Sequence, residues 1–455
     1  MKKILSISMM AVALTALNSC NKTDELFDKS AAERLNETKS LYTQRLCASP
    51  NGWAMQYYPT NENESPKGRG YLMLCKFKGD ATVTVAMNNT ATNNYYKEHT
   101  SLWDILTDDG PVLSFNSYNE VLHTFSTPEL LDKGRGYEGD YEFIVVDAPA
   151  DASYLMLKGK KRGTYNLLTP LEDGVDYEEY LLDVRQFQNK MFASDAPTFN
   201  VIHFGDSIYK MEDANDGVPN IYPYNGDKVM DESFNPFLIT RRGGNYYLRF
   251  RDKHKVTEQE SVQDFRYNTE KDVFESVDNT AYYISGDQPS RFFTQTIRSG
   301  SNNEWNFNRT SSMGTSFKTM VDNINRDLGR SKPKLTLTKF RLLNYEGKLC
   351  LDIQHKQGQA DSHAYYAYEA KADASGITLS DPKPFGKDSG ELEKSTNMYS
   401  AMASIKTLVD ALAQRYVLAP EETAFNLKRL KFTSETDAEQ WVILELLITN
   451  TDVTE

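Results

Sequence analysis

Apolar side chains in this chain recur mostly at every second position, in short runs closed by Gly or Asp turns. A period of two admits extended β-structure rather than helix. From Tyr71 to Met87 the pattern reads as a hairpin: Tyr71, Met73, Cys75 and Phe77 share one face, Gly79-Asp80 mark the turn, and Thr82-Val83-Thr84-Val85 return. Trp53, Met55 and Tyr57 likewise fall on one side of a strand that ends at Pro59, and further strands are expected at Val112 to Phe115, Tyr141 to Val146, Tyr154 to Lys158 and Thr164 to Leu168. Asp109-Gly110, Thr127-Pro128, Lys158-Gly159 and Arg162-Gly163 punctuate this stretch at short intervals, which favours an antiparallel sheet or barrel over a parallel one.

Helical periodicity interrupts the strands at a few places. Ser30 precedes a stripe of Leu35, Tyr42 and Leu46, and Glu33 stands where a capping box requires it. Tyr177, Tyr180, Leu181, Val184, Phe187 and Met191 keep to a second stripe, Phe317, Val321, Ile324 and Leu328 to a third, and Ile405, Leu408, Val409, Leu412 and Tyr416 to a fourth. Strand signals resume at Phe237 to Thr240 and Asn245 to Arg251, and again at Leu335 to Leu343, Lys348 to His355, Tyr365 to Ala372, Leu427 to Phe432 and Trp441 to Leu447, the last of which is also compatible with a helix by propensity. Between Ser194 and Pro236 the composition turns to Asp, Asn, Gly and Pro, the expected boundary. The expected fold is α+β and mainly antiparallel β, with two β-rich modules and a few packing helices, sandwich- or barrel-like. The expected division is a leader at 1–19, a modified terminus and tether at 20–29, a helix plus β-rich module at 30–196 and an α+β module at 197–455.

The leader has a Lys2-Lys3 start and an apolar run from Ile4 to Leu17, the order of a secretory signal peptide and shorter than the ~20 apolar residues a membrane span needs. Leu17-Asn18-Ser19-Cys20 then resembles a bacterial lipobox. Cleavage there leaves Cys20 as the first residue, its thiol the site of lipidation, with acyl chains such as palmitate holding the protein to a membrane. Asn21-Lys22-Thr23-Asp24-Glu25 resembles the tag that sends some Bacteroidota lipoproteins to the outer cell surface. The expected location is therefore the bacterial outer membrane, lipid-anchored and facing outward.

Several chemistries lack their residues. The net charge of −13 argues against a nucleic-acid partner, because phosphate neutralisation needs a basic surface. With Cys20 lipidated, Cys47, Cys75 and Cys350 leave room for one disulfide at most, and buried apolar thiols in strands are the expected reading. No Cys-x-x-Cys pair, zincin helix, Gly-x-Ser-x-Gly elbow, Walker loop or dinucleotide fingerprint occurs, so no catalytic residue, cofactor or metal is assigned. His355 and His363 are the one close histidine pair, expected as solvated loop residues rather than ligands. Asp213-Ala214-Asn215-Asp216-Gly217 departs from a calcium loop and reads as an acidic turn.

The lipobox and helix, followed by Asn51-Gly52-Trp53-Ala54-Met55-Gln56-Tyr57-Tyr58-Pro59, Pro111-Val112-Leu113-Ser114-Phe115-Asn116-Ser117-Tyr118-Asn119 and Leu157-Lys158-Gly159-Lys160-Lys161, carry a resemblance. That order resembles a Bacteroidota outer-membrane lipoprotein family, domain of unknown function 4302, most densely from Ser30 to Leu171. The resemblance implies a neighbourhood of surface nutrient-uptake systems of the starch-utilisation type and zinc-binding peptidases, and no catalytic residues to carry over.

Aromatic doublets are the feature left to explain: Tyr57-Tyr58, Tyr95-Tyr96, Tyr246-Tyr247, Tyr282-Tyr283, Phe292-Phe293 and Tyr365-Tyr366. In a strand one ring of each pair faces the core and the other a second layer or solvent, where Tyr beside Arg can stack on a sugar. Tyr247 with Arg249 and Arg251 is the first candidate ligand patch, and Tyr58 with Gln56 the second. The functional expectation is a non-enzymatic binding or accessory lipoprotein that captures a polysaccharide or peptide for a nutrient-uptake transporter. The alternatives are a hydrolase with a carboxylate site assembled by the fold, or a structural or adhesive surface protein.

Overall fold

The structure is a computed structural model that describes residues 29–63, 66–108, 110–130, 134, 136–193, 199–224, 234–298 and 303–448. The expected leader, Cys20, the expected tether up to residue 28 and the expected 196/197 boundary lie outside the described residues. The described chain divides into two units. Residues 29–55, 73–87 and 97–174 form the first, and residues 56–72, 88–96 and 175–448 the second.

In the first unit, helix α1 (Ala31–Leu46) begins as its sequence requires. The Ser30 hydroxyl accepts from Glu33 N at 3.2 Å, and the Glu33 carboxylate accepts from Ser30 N at 2.9 Å, closing the capping box. The helix ends against the sheet, where Trp53 Nε1 donates to Leu46 O at 2.7 Å. The sheet comprises β1 (Trp53–Tyr57), β2 (Tyr71–Phe77), β3 (Thr82–Met87), β4 (Lys97–Leu102), β5 (Asp104–Asp108), β6 (Gly110–Ser114), β7 (Glu142–Asp147), β8 (Leu155–Gly159) and β9 (Tyr165–Pro170). Their spatial order, 4-3-2-1-9-8-7-6-5, is a meander bent into a half-barrel whose two edge strands are consecutive in the chain. Trp103 is the single residue between those edges; its N donates to Ala81 O and its Nε1 to Thr82 O, pinning the corner.

The second unit repeats the device twice. Helix α2 (Tyr177–Met191) is capped by Asp176, whose Oδ1 accepts from Glu179 N at 2.9 Å, and buries the stripe Tyr180, Leu181, Val184, Phe187 and Met191. The next strands are β10 (Phe199–Phe204), β11 (Ser207–Glu212), β12 (Asn220–Pro223), β13 (Phe237–Arg242), β14 (Asn245–Lys255), β15 (Ser261–Asn268), β16 (Val273–Ser276) and β17 (Tyr282–Gly286), ordered 12-11-10-17-16-15-14-13. Its edges converge, since Phe237 N donates to Gly217 O at 2.9 Å and Asn220 bridges Phe234. Helix α2 is fixed to β13 and β14: the Tyr180 hydroxyl donates to Arg241 O at 2.8 Å, and Phe187 stacks on Tyr246 at 3.6 Å.

Helices α3 (Pro289–Arg298), α4 (Thr315–Arg330), α5 (Ser389–Ala401) and α6 (Ala403–Ala411) accompany the last sheet. Its strands are β18 (Glu304–Phe307), β19 (Thr336–Tyr345), β20 (Lys348–Gln357), β21 (Ala360–Ser362), β22 (Tyr365–Ala372), β23 (Gly376–Phe385), β24 (Arg415–Pro420), β25 (Arg429–Ser434) and β26 (Trp441–Leu447). The order is 19-18-26-25-24-23-22-20-21, and β19 also pairs with β20, so this sheet closes on itself. Alternate residues point into one continuous core, among them Phe340 and Leu342, Leu351 and Ile353, Tyr366 and Tyr368, and Leu430 and Phe432. The fold is thus α+β and mainly antiparallel, with barrel-like sheets, as expected.

Some elements differ from expectation. The Asp/Asn/Gly-rich stretch before Pro236, read as a boundary, carries β10, β11 and β12. Phe292 and Phe293 lie on α3 rather than in a strand, and both are buried against Trp305. Tyr416 belongs to β24 and not to the helical stripe ending at Leu412. Cys75 and Cys350 are buried, and burial pushes each thiol up to about 12, while Cys47 caps α1 at its C-terminus; all three are free.

Candidate functional site

The second unit holds a cavity of about 450 Å³, within the range of ~300–1,000 Å³ typical of small-molecule sites. One wall is a face of α2, where the buried Leu181 and Val184 and the half-buried Arg185 and Gln188 recur at the helical period. The opposite wall is Phe237, Leu238 and Ile239 of β13. Residues 69–72 and 88–94 supply a third side, and the turn Asn215-Asp216-Gly217 the fourth.

Each wall is shaped by local backbone chemistry. Asn89 caps a short 3₁₀ turn, Thr90–Thr92, its Oδ1 accepting from Ala91 N at 3.0 Å, and Asn93 and Asn94 follow in the left-handed region with φ of 55° and 61°. Arg185 Nη1 donates to Asn88 Oδ1 at 2.6 Å and to Asn94 O at 2.5 Å, tying that turn to α2. Gly70 must lack a side chain, because a Cβ there would lie 2.8 Å from the Tyr58 ring and closer still to Leu238.

Side-chain amides dominate the polar lining: Asn88, Asn89, Asn94, Gln188, Asn189 and Asn215. An amide offers a carbonyl acceptor and two N–H donors, so the set can meet a ligand whose groups both donate and accept. Leu181, Val184 and Leu238 supply apolar surface beside them. Arg69, Arg185 and Asp216 are the charged lining residues.

The residues singled out in the sequence come together, though not as an open platform. Tyr58 is 3% exposed, and burial pushes its hydroxyl well above the usual tyrosine range against the pull of Arg249 and Arg251. Arg251 reaches back to the loop after Tyr58, donating from Nη1 to Glu62 O and from Nη2 to Asn63 Oδ1, each at 2.7 Å. Arg249 pairs with Asp264 and donates to Gln263 Oε1 at 3.0 Å. Tyr247 is half-buried, with the Arg242 guanidinium 4.1 Å from its ring centre. Tyr58, Arg249 and Arg251 therefore act as an internal latch. Sequence reasoning passed over the cavity's amides, although the run Asn88-Asn89-Thr90-Ala91-Thr92-Asn93-Asn94 is dense enough to have marked it.

His355 is buried in line with Leu351 and Ile353, its Nδ1 3.1 Å from Ile353 O, so the expected solvated loop histidine is a core residue. His363 instead meets the fully buried Asp352, Nδ1 to Oδ2 at 2.9 Å. Asp352 also accepts from Arg341, which bridges to Glu304 at 2.6 Å. Among the described residues no three His, Cys, Asp or Glu side chains gather as a metal site would require. Asp213 to Gly217 forms a 3₁₀ turn, and its Asn215 and Asp216 serve as cavity lining.

A protein-family model, Domain of unknown function (DUF4302), matches residues 23–269. The chain belongs to this family. Every cavity-lining residue of this DUF4302 protein falls inside the matched segment. No curated protein matches it. Among solved structures, a DNA polymerase sliding clamp from Pseudomonas aeruginosa is 10% identical, with 91% of this chain and 98% of the clamp covered at a TM-score of 0.14. The transferrin-binding protein B of Haemophilus parasuis Hp5, a double-mutant vaccine antigen, is also 10% identical, with 87% of this chain and 74% of that one covered at 0.12. Likeness at that level carries no argument about fold or function.

Proposed function

We propose that this DUF4302 protein is a Bacteroidota lipoprotein, anchored through Cys20 to the outer membrane and facing outward, that captures a glycan without transforming it and passes it to a nutrient-uptake transporter. The amide-lined cavity of the second unit carries this reading. Sugar hydroxyls both donate and accept, and an array of Asn and Gln side chains beside Leu181, Val184 and Leu238 matches a ring with polar edges and apolar C–H faces. Asp216 is the one carboxylate lining the cavity among the described residues. Glycoside cleavage generally needs two, which favours binding over hydrolysis. The anchor is supported by the order Lys2-Lys3, Ile4 to Leu17, Leu17-Asn18-Ser19-Cys20. No helix among the described residues is long and apolar enough to cross a membrane.

Calorimetric titration with oligosaccharides, alongside chromatography of the same mixtures, tests the reading. Saturable binding without new products is expected, and Gln188→Ala or Asn215→Ala should each weaken it about two- to tenfold, the loss of one neutral hydrogen bond. Cleaved products would make the protein a hydrolase, and binding of peptides alone would replace the glycan. Cys20→Ala should move the protein from the membrane to the soluble fraction.

A further inference from the structure

The cavity's charges say more about its ligand than its amides do. The chain carries 64 acidic against 51 basic residues, yet the cavity is lined by two guanidinium groups and one carboxylate. Neither Arg185 nor Arg69 has a carboxylate partner among the described residues, and Asp216 is within ion-pair distance of neither. Elsewhere in the same unit Arg241, Arg249, Arg341 and Arg415 each pair with an Asp. The two cavity arginines instead have only neutral acceptors.

Their geometry leaves them able to bind. Arg185 spends Nη1 on Asn88 Oδ1 and Asn94 O, which fixes the guanidinium plane. Its Nε and Nη2 donors have no partner among the described residues. Those two N–H groups form the side of the fork that meets a carboxylate or sulfate through two parallel hydrogen bonds. Arg69 donates weakly from Nη1 to Thr90 Oγ1 at 3.4 Å and lies 5.9 Å from the Tyr71 ring centre, a half-buried cation held at the wall. A guanidinium oriented by its own protein and left without a counter-charge inside a concave site favours an anion there.

We infer that the cavity takes an anionic saccharide, one bearing a uronate carboxylate or a sulfate ester, with Arg185 as the bidentate anchor and Arg69 as the second counter-charge. This rests on the glycan reading above and narrows it. The amides then meet the ring hydroxyls, and Asp216 is left as an acceptor for hydroxyl protons.

The test uses the full lipidated chain in detergent, titrated with oligogalacturonate, a sulfated galacto-oligosaccharide and neutral galacto-oligosaccharide at low and high salt. The expected result is at least about tenfold tighter binding of one or both anionic sugars, the strength of a charge-assisted pair, shrinking as salt rises. Arg185→Gln should lower that affinity about 10- to 100-fold, and lower that of the neutral sugar by a smaller factor because the tie to Asn88 and Asn94 is lost with it. Arg69→Gln, which leaves the tie between α2 and residues 88–94 intact, should lower it about threefold or more, so the proposal survives a misfolded Arg185 variant. Preference for the carboxylate or for the sulfate identifies the anion. Equal affinity for neutral and anionic sugars overturns the inference and leaves the glycan reading standing. Anion binding that persists in both arginine variants overturns it as well, because the anion then sits elsewhere, and no binding of any saccharide removes both.

Discussion

At the scale of single residues, a buried charge network lies on the outer side of the closed sheet. Asp352 is fully buried, with Arg341 and His363 as its partners, and Arg341 reaches on to Glu304. Arg341→Met removes the counter-charge from a carboxylate that stays buried, so urea unfolding should show a loss of about 3–5 kcal/mol. Burial raises the Glu304 carboxyl, but hydrogen bonds and charge from Lys339 and Arg341 outweigh it and hold the group below its usual range. A depressed folded value means stability that is complete above the ordinary glutamate pKa of about 4.3 and lost as pH falls through the lower, folded one. Acid unfolding should therefore be less steep below pH ~4 in Glu304→Gln than in the parent, and equal slopes would show that Glu304 contributes nothing. In the cavity wall, Gly70→Ala drives a methyl into Tyr58 and Leu238. It should cost about 1–3 kcal/mol by overpacking and weaken saccharide binding, with thermal melts and calorimetry as the paired measurements.

At the scale of elements, what was legible in the sequence was whatever carried its own local signal. α1 and α2 have caps and stripes that agree, and Asp176→Ala should cost α2 about 1 kcal/mol, read by denaturant unfolding, because Glu179 N then loses its acceptor. The β2–β3 hairpin was legible because Phe77 pairs with Val83 across a local turn. Tyr365-Tyr366 behaves as an alternating doublet should, Tyr366 entering the core and Tyr365 stacking on Tyr345 at 4.0 Å. The illegible elements lacked such signals. β11 is polar and largely exposed over Ser207 to Tyr209, so no alternation announces it, and the sequence shows no strand signal for β10 to β12. Phe292 and Phe293 are both buried on α3, where neighbours 100° apart can share a core, and adjacent aromatics alone do not separate that from a strand. Ile405 to Leu412 is helical, but Tyr416 extends the period by coincidence from the far side of the turn into β24.

At the scale of the whole chain, which distant strands pair is the property no local pattern could reveal, and it determines how the chain can be divided. Each sheet consists largely of successive hairpins, legible one at a time, joined by pairings between strands far apart in sequence, such as β10 with β17 and β18 with β26. The family match ends at residue 269, after β15, so the matched segment lacks the β17 that covers one edge of β10. A fragment ending there should expose that edge and self-associate in light scattering, whereas the full chain should not. The cavity is equally non-local, since residues 69–72 and 88–94 reach it from the first hundred residues while α2 and β13 follow 175. A fragment of residues 175–448 retains every strand of the two later sheets and the core around Trp305. Its fluorescence, now from Trp305 and Trp441 alone, should therefore change in a cooperative unfolding transition. The same fragment lacks Arg69 and the Asn88 to Asn94 wall, so saccharide titration should give no saturable signal. Parent-like affinity in that fragment would move the binding site away from the cavity altogether.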